Sequence, residues 1–211
     1  MRQAGICGAR RGKTKKTTIQ DDAHVRAPDL VKRNFTATGP DELWVMDFTY
    51  CSTWQGWQYV AFVLDVYSRR IVGWKASSQM TVDLTLQALE MAVWKRDRPL
   101  DKLTAHSDAG SQYTAVKFTN RLAEIGAAPS IGTVADSYDN SMAESLNGIY
   151  KTELVKPNGP WKTRDQLELA TFEWIDWYNN RRLHEHFGMT PPTEKETSHY
   201  NNLGQNKPVL T

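Results

Sequence analysis

The chain has 211 residues, of which 40% are hydrophobic and 24% charged, and its formal net charge is +2 at pH 7. This length suits one domain of ordinary size, and the composition is that of a water-soluble globular protein. No apolar run approaches the roughly 20 residues that a membrane span needs, and the N-terminus has no apolar signal-peptide region. Cys7 and Cys51 form no CxxC pair, which argues against a zinc site or a disulfide framework. We therefore expect a soluble protein of the cytoplasm.

The positive charge is concentrated at the N-terminus. Residues 1–33 contain nine Lys or Arg and three Asp, so they carry +6 and the rest of the chain carries −4. Such a segment is typical of proteins that bind polyanions, because each phosphate neutralised by Lys or Arg releases counterions. A solvated tail without a partner explains the charge equally well. The polar composition of residues 1–39 predicts a basic arm or linker.

Residues 40–200 carry alternating strand and helix signals and are assigned to one folded core, with a tail at 201–211. Three β-rich segments come first, and the short connections between them indicate an antiparallel meander. These segments lie at 43–52, 57–67 and 70–76. The apolar periodicity that follows predicts a helix at 81–96, a strand at 103–107, a helix at 115–125, a strand at 129–134 and a helix at 141–154.

The element order β-β-β-α-β-α-β-α predicts an α/β fold. Three antiparallel strands followed by crossover-linked strands give a mixed five-stranded sheet with helices on both faces. This order matches an RNase H-like fold. Residues 157–211 contain one strong C-terminal helix at 164–180 and are otherwise predicted to be rich in loops.

Asp47 lies in the middle of the strongly apolar first strand, between Met46 and Phe48. A carboxylate in such a position costs free energy to bury unless its charge is compensated. The alternative is that Asp47 lies on a solvated strand face together with Thr49. The strand pattern alone leaves both interpretations open.

Asp108 directly follows the predicted strand at 103–107. Functional groups of open α/β sheets gather at the carboxyl ends of strands, which favours a role in a site. The alternative is an ordinary turn, because the Asp or Ser of Asp-Ala-Gly-Ser can accept hydrogen bonds from nearby backbone amides.

Glu144 lies near the start of the predicted helix at 141–154. It shares one helical face with Asn140, Asn147 and Lys151, opposite an apolar stripe. This face presents acid, amide and amine side chains in a row, as expected beside a metal site that also contacts a phosphate. The alternative is a capping box, since Ser141-x-x-Glu144 fits that pattern.

The three acids together predict more than any one of them. Phosphodiester cleavage by two divalent ions about 3.5–4 Å apart needs carboxylates that converge from different elements. Mg²⁺ prefers oxygen ligands and keeps several waters, so three carboxylates suffice when a substrate phosphate completes the coordination shell. Asp47, Asp108 and Glu144 are placed to meet at one edge of the predicted sheet.

Several segments resemble the OrfB transposases of insertion sequences, which are DDE-type enzymes with a catalytic core similar to that of retroviral integrases. Asp108 and Glu144 are separated by thirty-five residues, the spacing found in that family. The resemblance runs from about residue 26 to 200. The matching segments are LWVMDFTY at 43–50, YVAFVLD at 59–65, SRRIVGW at 68–74, HSDAGSQY at 106–113, DSYDN at 136–140, NGIYKTEL at 147–154 and WYNNRRLH at 177–184.

This resemblance implies a role for each matching residue. Asp47, Asp108 and Glu144 are implied to be the catalytic ligands of two divalent metal ions, Mg²⁺ or Mn²⁺. Lys151 matches the basic residue that the family places near DNA. The other matching polar residues are expected to contact DNA or to support the site: Gln112 and Asn140 in the first group, His106 and Tyr138 in the second.

The implied function is DNA cleavage followed by strand transfer, which moves an insertion sequence within bacterial DNA. The family implies a homo-multimer that holds two DNA ends. Two departures from the family pattern are Ala105 and Ala109, where His and Arg are frequent. The sequence at Met1 resembles the end of a helix-turn-helix region, so we expect the end-recognition module to be truncated or to be a separately encoded subunit.

Two other functions remain as alternatives. One is a plain nuclease on the same fold, such as a ribonuclease H or a junction resolvase. The other is a non-catalytic, truncated remnant that only binds DNA or a partner transposase subunit.

Several further residues have simpler explanations than a catalytic role. Asp65 is predicted to form a turn, and Asp136 and Asp139 to cap a helix or form a turn. His184 and His186 are expected to be solvent-exposed or to contact phosphate rather than to bind metal. The aromatic residues of the helix at 164–180 are expected to pack against the core, and whether Trp54 and Trp57 reach DNA is left open.

Overall fold

The computed structural model of the protein describes residues 26–133 and 137–205, apart from the side chains of residues 137, 138, 204 and 205. The strands in this part of the chain are β1 Leu43–Thr53, β2 Gly56–Asp65, β3 Ile71–Ser77, β4 Thr104–Ser107 and β5 Ala128–Ile131. The helices are α1 Val82–Arg96, α2 Val116–Glu124, α3 Ser141–Tyr150, α4 Lys156–Asn158, α5 Arg164–Asn180 and α6 Pro192–Gln205.

The five strands form one mixed sheet in the order β3-β2-β1-β4-β5. β1, β2 and β3 pair in antiparallel fashion, whereas β4 pairs with β1 and β5 with β4 in parallel. Parallel neighbours need a crossover connection, which α1 provides before β4 and α2 before β5. The predicted element order and the predicted mixed sheet are confirmed.

The central strand β1 separates two apolar cores, because successive side chains of a strand point to opposite faces. Trp44 and Met46 pack in the core that α1 and α2 cover. Leu43 and Val45 pack in the core that α3 and α5 cover. Burial of a large apolar side chain contributes roughly 1.5–3 kcal/mol, so helices on both faces hold β1 firmly in the middle of the sheet.

The turn between β2 and β3 is organised by the fully buried Asp65. Its Oδ1 accepts hydrogen bonds from the backbone N–H and the hydroxyl of Ser68, at 2.8 and 2.6 Å. Its Oδ2 accepts from the backbone N–H of Asp41 at 2.8 Å. The predicted turn role of Asp65 is confirmed.

The helix that carries Glu144 continues beyond α3. It passes into a π-helical segment, Lys151–Val155, and then into the short turn α4. Insertions of π-helix inside α-helices are frequent at functional sites. The sequence predicts a helix up to residue 154 but gives no sign of this change in winding.

The C-terminal region contains one predicted and one unexpected helix. The bounds of α5 are those predicted, and its first turn is closed by a capping box between Thr163 and Gln166. Helix α6 occupies a segment that was expected to be loop-rich, so that prediction is wrong. Within the described residues, each helix is too short or too polar to span a lipid bilayer.

Gly73→Ala is expected to destabilise the fold, because β3 and α1 touch at this point. A Cβ on Gly73 would lie 2.1 Å from the backbone oxygen of Ala88 and 2.9 Å from the Cβ of Ala92. Overpacking of this kind typically costs about 1–3 kcal/mol. Gly148→Ala is the matched control, since a Cβ there meets nothing within 4 Å and Ala favours a helix by up to about 1 kcal/mol. Thermal unfolding should show a lower Tm than that of the wild type for Gly73→Ala but not for Gly148→Ala. Equal Tm values for the two variants would contradict the close contact between β3 and α1.

Candidate active site

Asp47 and Asp108 are placed side by side by the pairing of β1 with β4. Met46 lies opposite Ser107 in this parallel pair, so each aspartate is the next residue along its own chain. Neighbouring strands lie about 4.8 Å apart, which brings the two carboxylates to the same end of β4. β1 continues past this point, so Asp47 lies within a strand while Asp108 begins a loop. The expected position of Asp108 at a strand's carboxyl end is confirmed.

Glu144 lies in the first turn of α3, and its side chain is exposed. The residue that precedes the helix is Asn140, and no side chain caps the helix start. The capping box considered for Ser141 and Glu144 is therefore not formed. The Glu144 carboxylate therefore makes no capping hydrogen bond at the N-terminus of α3.

The charges of Asp108 and Glu144 both act on the Asp47 carboxylate. Burial, together with the negative charges of Asp108 and Glu144, raises the pKa of Asp47 to about 7. Hydrogen bonds to Asp47 act in the opposite direction but do not outweigh these effects. The solvated strand face that was the alternative for Asp47 is therefore not its environment.

Asp47 is held by donors on both of its oxygens. The backbone N–H of Phe48 donates to Oδ1 at 2.8 Å, and the Asn147 Nδ2 donates to Oδ2 at 2.9 Å. Asn147 comes from the same helix as Glu144, so this bond ties α3 to β1 at the carboxylates. The sequence shows Asn147 on the face of Glu144, three residues further along, but does not indicate this contact.

Asn147→Ala is expected to weaken the binding of Mg²⁺ at these carboxylates by about 10–100-fold, the usual cost of losing a group that orients a metal ligand. The reason is the loss of the donor that fixes the Asp47 carboxylate. The measurement is a calorimetric titration of the protein with Mg²⁺. Asn180→Ala is the control, because Asn180 is exposed and bonds only to surface residues in α5 and α6. An unchanged Mg²⁺ affinity in Asn147→Ala would contradict the orienting role.

The Asp108 side chain also shapes the loop that follows it. Its Oδ1 accepts a hydrogen bond from the backbone N–H of Gly110 at 3.0 Å. The turn that was the alternative for Asp108 is thus present, and it coexists with the position beside Asp47. The turn fixes the direction of the carboxylate.

His106 joins the two elements that carry Asp108 and Glu144. It is fully buried, with Nδ1 2.9 Å from the hydroxyl of Ser130 and Nε2 2.7 Å from the backbone oxygen of Asp139. Its position fits the expected supporting role, because the segment before α3 is tied through it to β4. Asp139 is not a cap of α3: its side chain accepts hydrogen bonds from Thr133 and Arg33, which hold the pKa of Asp139 down at about 2.

The two residues expected to contact DNA beside Lys151 are buried. Asn140 is 3% exposed, and its Nδ2 donates to the backbone oxygen of Met46 at 3.1 Å, next to Asp47. Gln112 is 9% exposed. These positions argue against direct DNA contact and for a structural role. Asp136 and the side chain of Tyr138 lie outside the described residues.

Lys151 is half-buried at the start of the π-helical segment, and its Nζ lies 5.0 Å from the centre of the Tyr50 ring. It therefore lies on the helix of Glu144 and beside the far part of β1. This position places a positive charge beside β1, three residues beyond Asp47.

The histidines of the C-terminal region are separate from this cluster. His184 packs between the rings of Tyr178 and Phe187, with centroids 5.1 and 6.0 Å away. Burial, followed by the charge of Arg182, lowers the pKa of His184 to about 4, so this ring is neutral at pH 7. The prediction for the aromatic residues of α5 is confirmed in part: Trp174 and Tyr178 are buried, whereas Phe172 is 58% and Trp177 36% exposed.

The donor set fits a hard divalent cation. In residues 26–133 and 137–205, no three His, Cys, Asp or Glu side chains are arranged to hold one metal ion together. Such a cluster is not required, because Mg²⁺ usually takes one or two carboxylates and keeps several waters. Burial raises the pKa of Asp47 most, and the charges of Asp108 and Glu144 raise it further; a cation between the carboxylates would relieve that repulsion.

Most of the chain matches models of a known protein family. Two models of the integrase core domain match residues 37–137 and 125–192. The first of them contains Asp47 and Asp108, and the second contains Glu144.

The chain is also similar to insertion-sequence transposases. It is 49% identical over 204 residues to a putative transposase for IS986/IS6110 of Mycobacterium tuberculosis H37Rv. The aligned region covers 95% of this chain and 73% of that protein. It is 52% identical over 200 residues to the transposase for IS629 of Shigella sonnei, covering 95% and 66% respectively. The chain thus spans two thirds to three quarters of the length of these relatives.

Solved structures show the same fold. The HTLV-2 integrase catalytic core domain in complex with magnesium matches with a TM-score of 0.59 and 18% identity, covering 76% of this chain and 99% of that one. A simian T-cell lymphotropic virus intasome matches with a TM-score of 0.64 and 17% identity, covering 90% and 62%. The predicted RNase H-like fold is confirmed. The chain belongs to the integrase-core family of insertion-sequence transposases.

Proposed function

We propose that this chain is the catalytic domain of a DDE-type transposase, which cleaves DNA at the ends of an insertion sequence and joins those ends to target DNA. The observation that carries the proposal is the meeting of three elements: the β1–β4 pairing brings Asp47 beside Asp108, and the hydrogen bond from Asn147 to Asp47 holds the helix of Glu144 against them. Such a cluster costs stability in the free protein, and binding of cations would offset that cost.

Asp47, Asp108 and Glu144 would hold two divalent ions, Mg²⁺ or Mn²⁺. Bound ions supply the positive charge that lowers the pKa of an attacking water or 3′-hydroxyl and stabilises the leaving oxygen. The chain itself fixes the carboxylates beforehand: Phe48 and Asn147 orient Asp47, and the loop after β4 orients Asp108. Ligands held in place by their neighbours need less reorganisation when substrate binds.

A strand-transfer assay tests this function. The full chain is incubated with Mg²⁺, a pre-cut element end and a target plasmid, and a joined product is expected. Cleavage without joining would favour the nuclease alternative. DNA binding without either product would favour the non-catalytic remnant.

The division of the chain and its partners are part of the same proposal. We assign residues 40–200 to the catalytic core, because the family models span most of this range. The arm at 1–39 rests on its basic composition, since residues 1–25 lie outside the described part. The tail at 201–211 begins inside α6, which runs to Gln205. The partners would be element ends and target DNA, further copies of the chain and a separately encoded helix-turn-helix subunit.

Lys151→Ala is expected to weaken DNA binding and to reduce the salt dependence of that binding. Loss of one phosphate contact lowers the slope of log K against log salt by about 0.9. Lys117→Ala is the control, because Lys117 is on α2 and pairs with Asp83 at 2.6 Å. Anisotropy titrations from low to high salt would measure both slopes, and identical slopes in the two variants would exclude a phosphate contact at Lys151.

A further inference from the structure

Three aromatic side chains form a partly exposed cluster at the far end of the β1–β2 hairpin. Tyr50 lies opposite Tyr59 in the antiparallel pair, and Trp57 lies opposite Ser52. The Tyr50 ring centroid is 5.3 Å from that of Trp57 and 6.4 Å from that of Tyr59. Tyr50 is 54% and Trp57 53% exposed. We call Tyr50, Trp57 and Tyr59 the aromatic platform.

The platform is connected to the carboxylates by further rings. Phe48 is two residues before Tyr50, so both side chains lie on the same face of β1. The Phe48 ring stacks on Tyr113 with centroids 6.3 Å apart. Phe48 itself directly follows Asp47 in β1. A row of rings thus runs from the carboxylates to the hairpin end.

Positive charges accompany the exposed rings. The Nζ of Lys151 lies 5.0 Å from the Tyr50 ring centre, and the Nζ of Lys162 lies 6.0 Å from that of Trp54. Trp54 is at the tip of the hairpin and is 72% exposed. Rings for stacking with cations beside them are complementary to a nucleic-acid strand, which alternates flat bases with phosphates.

The hairpin is held in one position by the segment before α5. The backbone N–H of Trp54 donates to the oxygen of Trp161 at 3.0 Å, and the N–H of Arg164 donates to the Gln55 Oε1 at 3.1 Å. A surface that is fixed before binding loses little conformational entropy when a ligand is bound. This anchoring distinguishes the hairpin from a free loop.

We infer that the aromatic platform stacks unpaired bases of the DNA strand whose phosphate lies at the carboxylates. The inference rests on the proposed function and names its substrate class more closely: DNA with single-stranded or frayed ends. Stacking tolerates any base, because every base has a π face, so the platform would select for unpairing and not for sequence. The lysines argue for this occupant over a second copy of the chain, since they complement phosphates.

The test compares two fluorescein-labelled 12-nucleotide strands that differ only in their bases: one is oligo(dT) and the other an abasic strand with the same phosphates. Anisotropy titrations use the full chain without divalent metal. The wild type is expected to bind oligo(dT) about tenfold more tightly, as one stacked base contributes. Trp57→Ala and Tyr50→Ala should each lose most of this preference, and Trp57→Phe should keep it. Trp94→Ala is the matched control, being 81% exposed in α1.

Equal binding of the two strands by the wild type would overturn the inference, as would equal losses in Trp57→Ala and Trp94→Ala. Sedimentation velocity would reveal whether Trp57→Ala instead dissociates an oligomer while the base preference stays, which would assign the platform to self-association. None of these binding results bears on whether the wild-type chain joins pre-cut ends. Failure of the proposed function would appear separately, as absence of the joined product in the wild type.

Discussion

Asp47→Asn is expected to abolish strand joining and, in the same molecule, to raise the stability of the metal-free fold. The loss of activity should exceed about a thousandfold, as for a group that acts directly in the reaction. The gain in stability follows from the environment of the carboxylate, which is partly buried and repelled by Asp108 and Glu144. An amide of the same shape avoids both costs. Its Oδ1 can still accept from the backbone N–H of Phe48, and its Nδ2 can donate to the Asn147 Oδ1 once the Asn147 amide turns over.

The pH dependence of stability has a definite sign. The pKa of Asp47 is about 7 in the folded chain, against 3.8 for an ordinary Asp. Between these values the folded state binds more protons than the unfolded state, so the free energy of unfolding falls as pH rises from about 4 to about 7. Below about pH 4 this cost is absent, and above about pH 7 it is complete. Asp47→Asn should lack this contribution.

Thermal unfolding in EDTA at several pH values measures both effects. At pH 7.5 we expect Tm of Asp47→Asn to exceed that of the wild type by about 2–4 °C for each kcal/mol relieved. Added Mg²⁺ should stabilise the wild type through binding to the folded state and should have less effect on the variant. Glu173→Gln, an exposed change in α5, serves as the control. A variant that unfolds at a lower Tm than the wild type would refute the electrostatic strain.

Local patterns were sufficient to predict the sheet and the carboxylates. The strands of the meander and the bounds of α5 follow from alternation, turn residues and a helix cap, which are all encoded within a few neighbouring residues. Asp47 and Asp108 could be placed together because strand order determines which carboxyl ends are adjacent. Where a feature depends on local sequence or on sheet order, one sequence is enough.

Contacts between distant segments were not predictable in this way. Asn147 and Asn140 both occupy the polar face of the helix of Glu144, yet Asn147 bonds to Asp47 and Asn140 to the backbone beside it. Periodicity assigns a residue to a face but does not tell which neighbour that face meets. The family resemblance likewise suggested that Asn140 and Gln112 contact DNA, whereas both are buried.

The clearest omission is α6, whose segment has no apolar stripe for periodicity to detect. Its sequence from Pro192 to Gln205 is mostly polar. The helix is attached instead through Glu196, which is buried between the guanidinium groups of Arg96 and Arg70. Arg96 also pairs with Asp41 at 2.6 Å. A helix that is attached by ion pairs to residues a hundred or more positions away leaves little trace in its own sequence.

Glu196→Ala is therefore expected to destabilise the protein strongly. Removing one partner of a buried ion pair usually costs about 3–5 kcal/mol. We expect the lower end of this range, because Asp41 still faces Arg96 after Glu196 is removed. For a domain of this size, 3 kcal/mol lowers Tm by about 6–12 °C. Glu194→Ala is the matched control, since Glu194 is exposed in the first turn of the same helix.

Limited proteolysis shows whether Glu196→Ala detaches α6 from the core or lowers the free energy of unfolding with α6 still in place. If α6 separates from the core, Arg96 becomes hydrated, the fall in Tm is partly relieved and the chain becomes sensitive to cleavage after Thr190. If α6 stays in place, the full penalty appears in Tm and cleavage is unchanged. A Tm equal to that of Glu194→Ala, with no new cleavage, would show that the ion pairs do not attach the helix. In both expected cases strand joining at low temperature should persist, because Glu196 and its partners are not among the groups that surround Asp47.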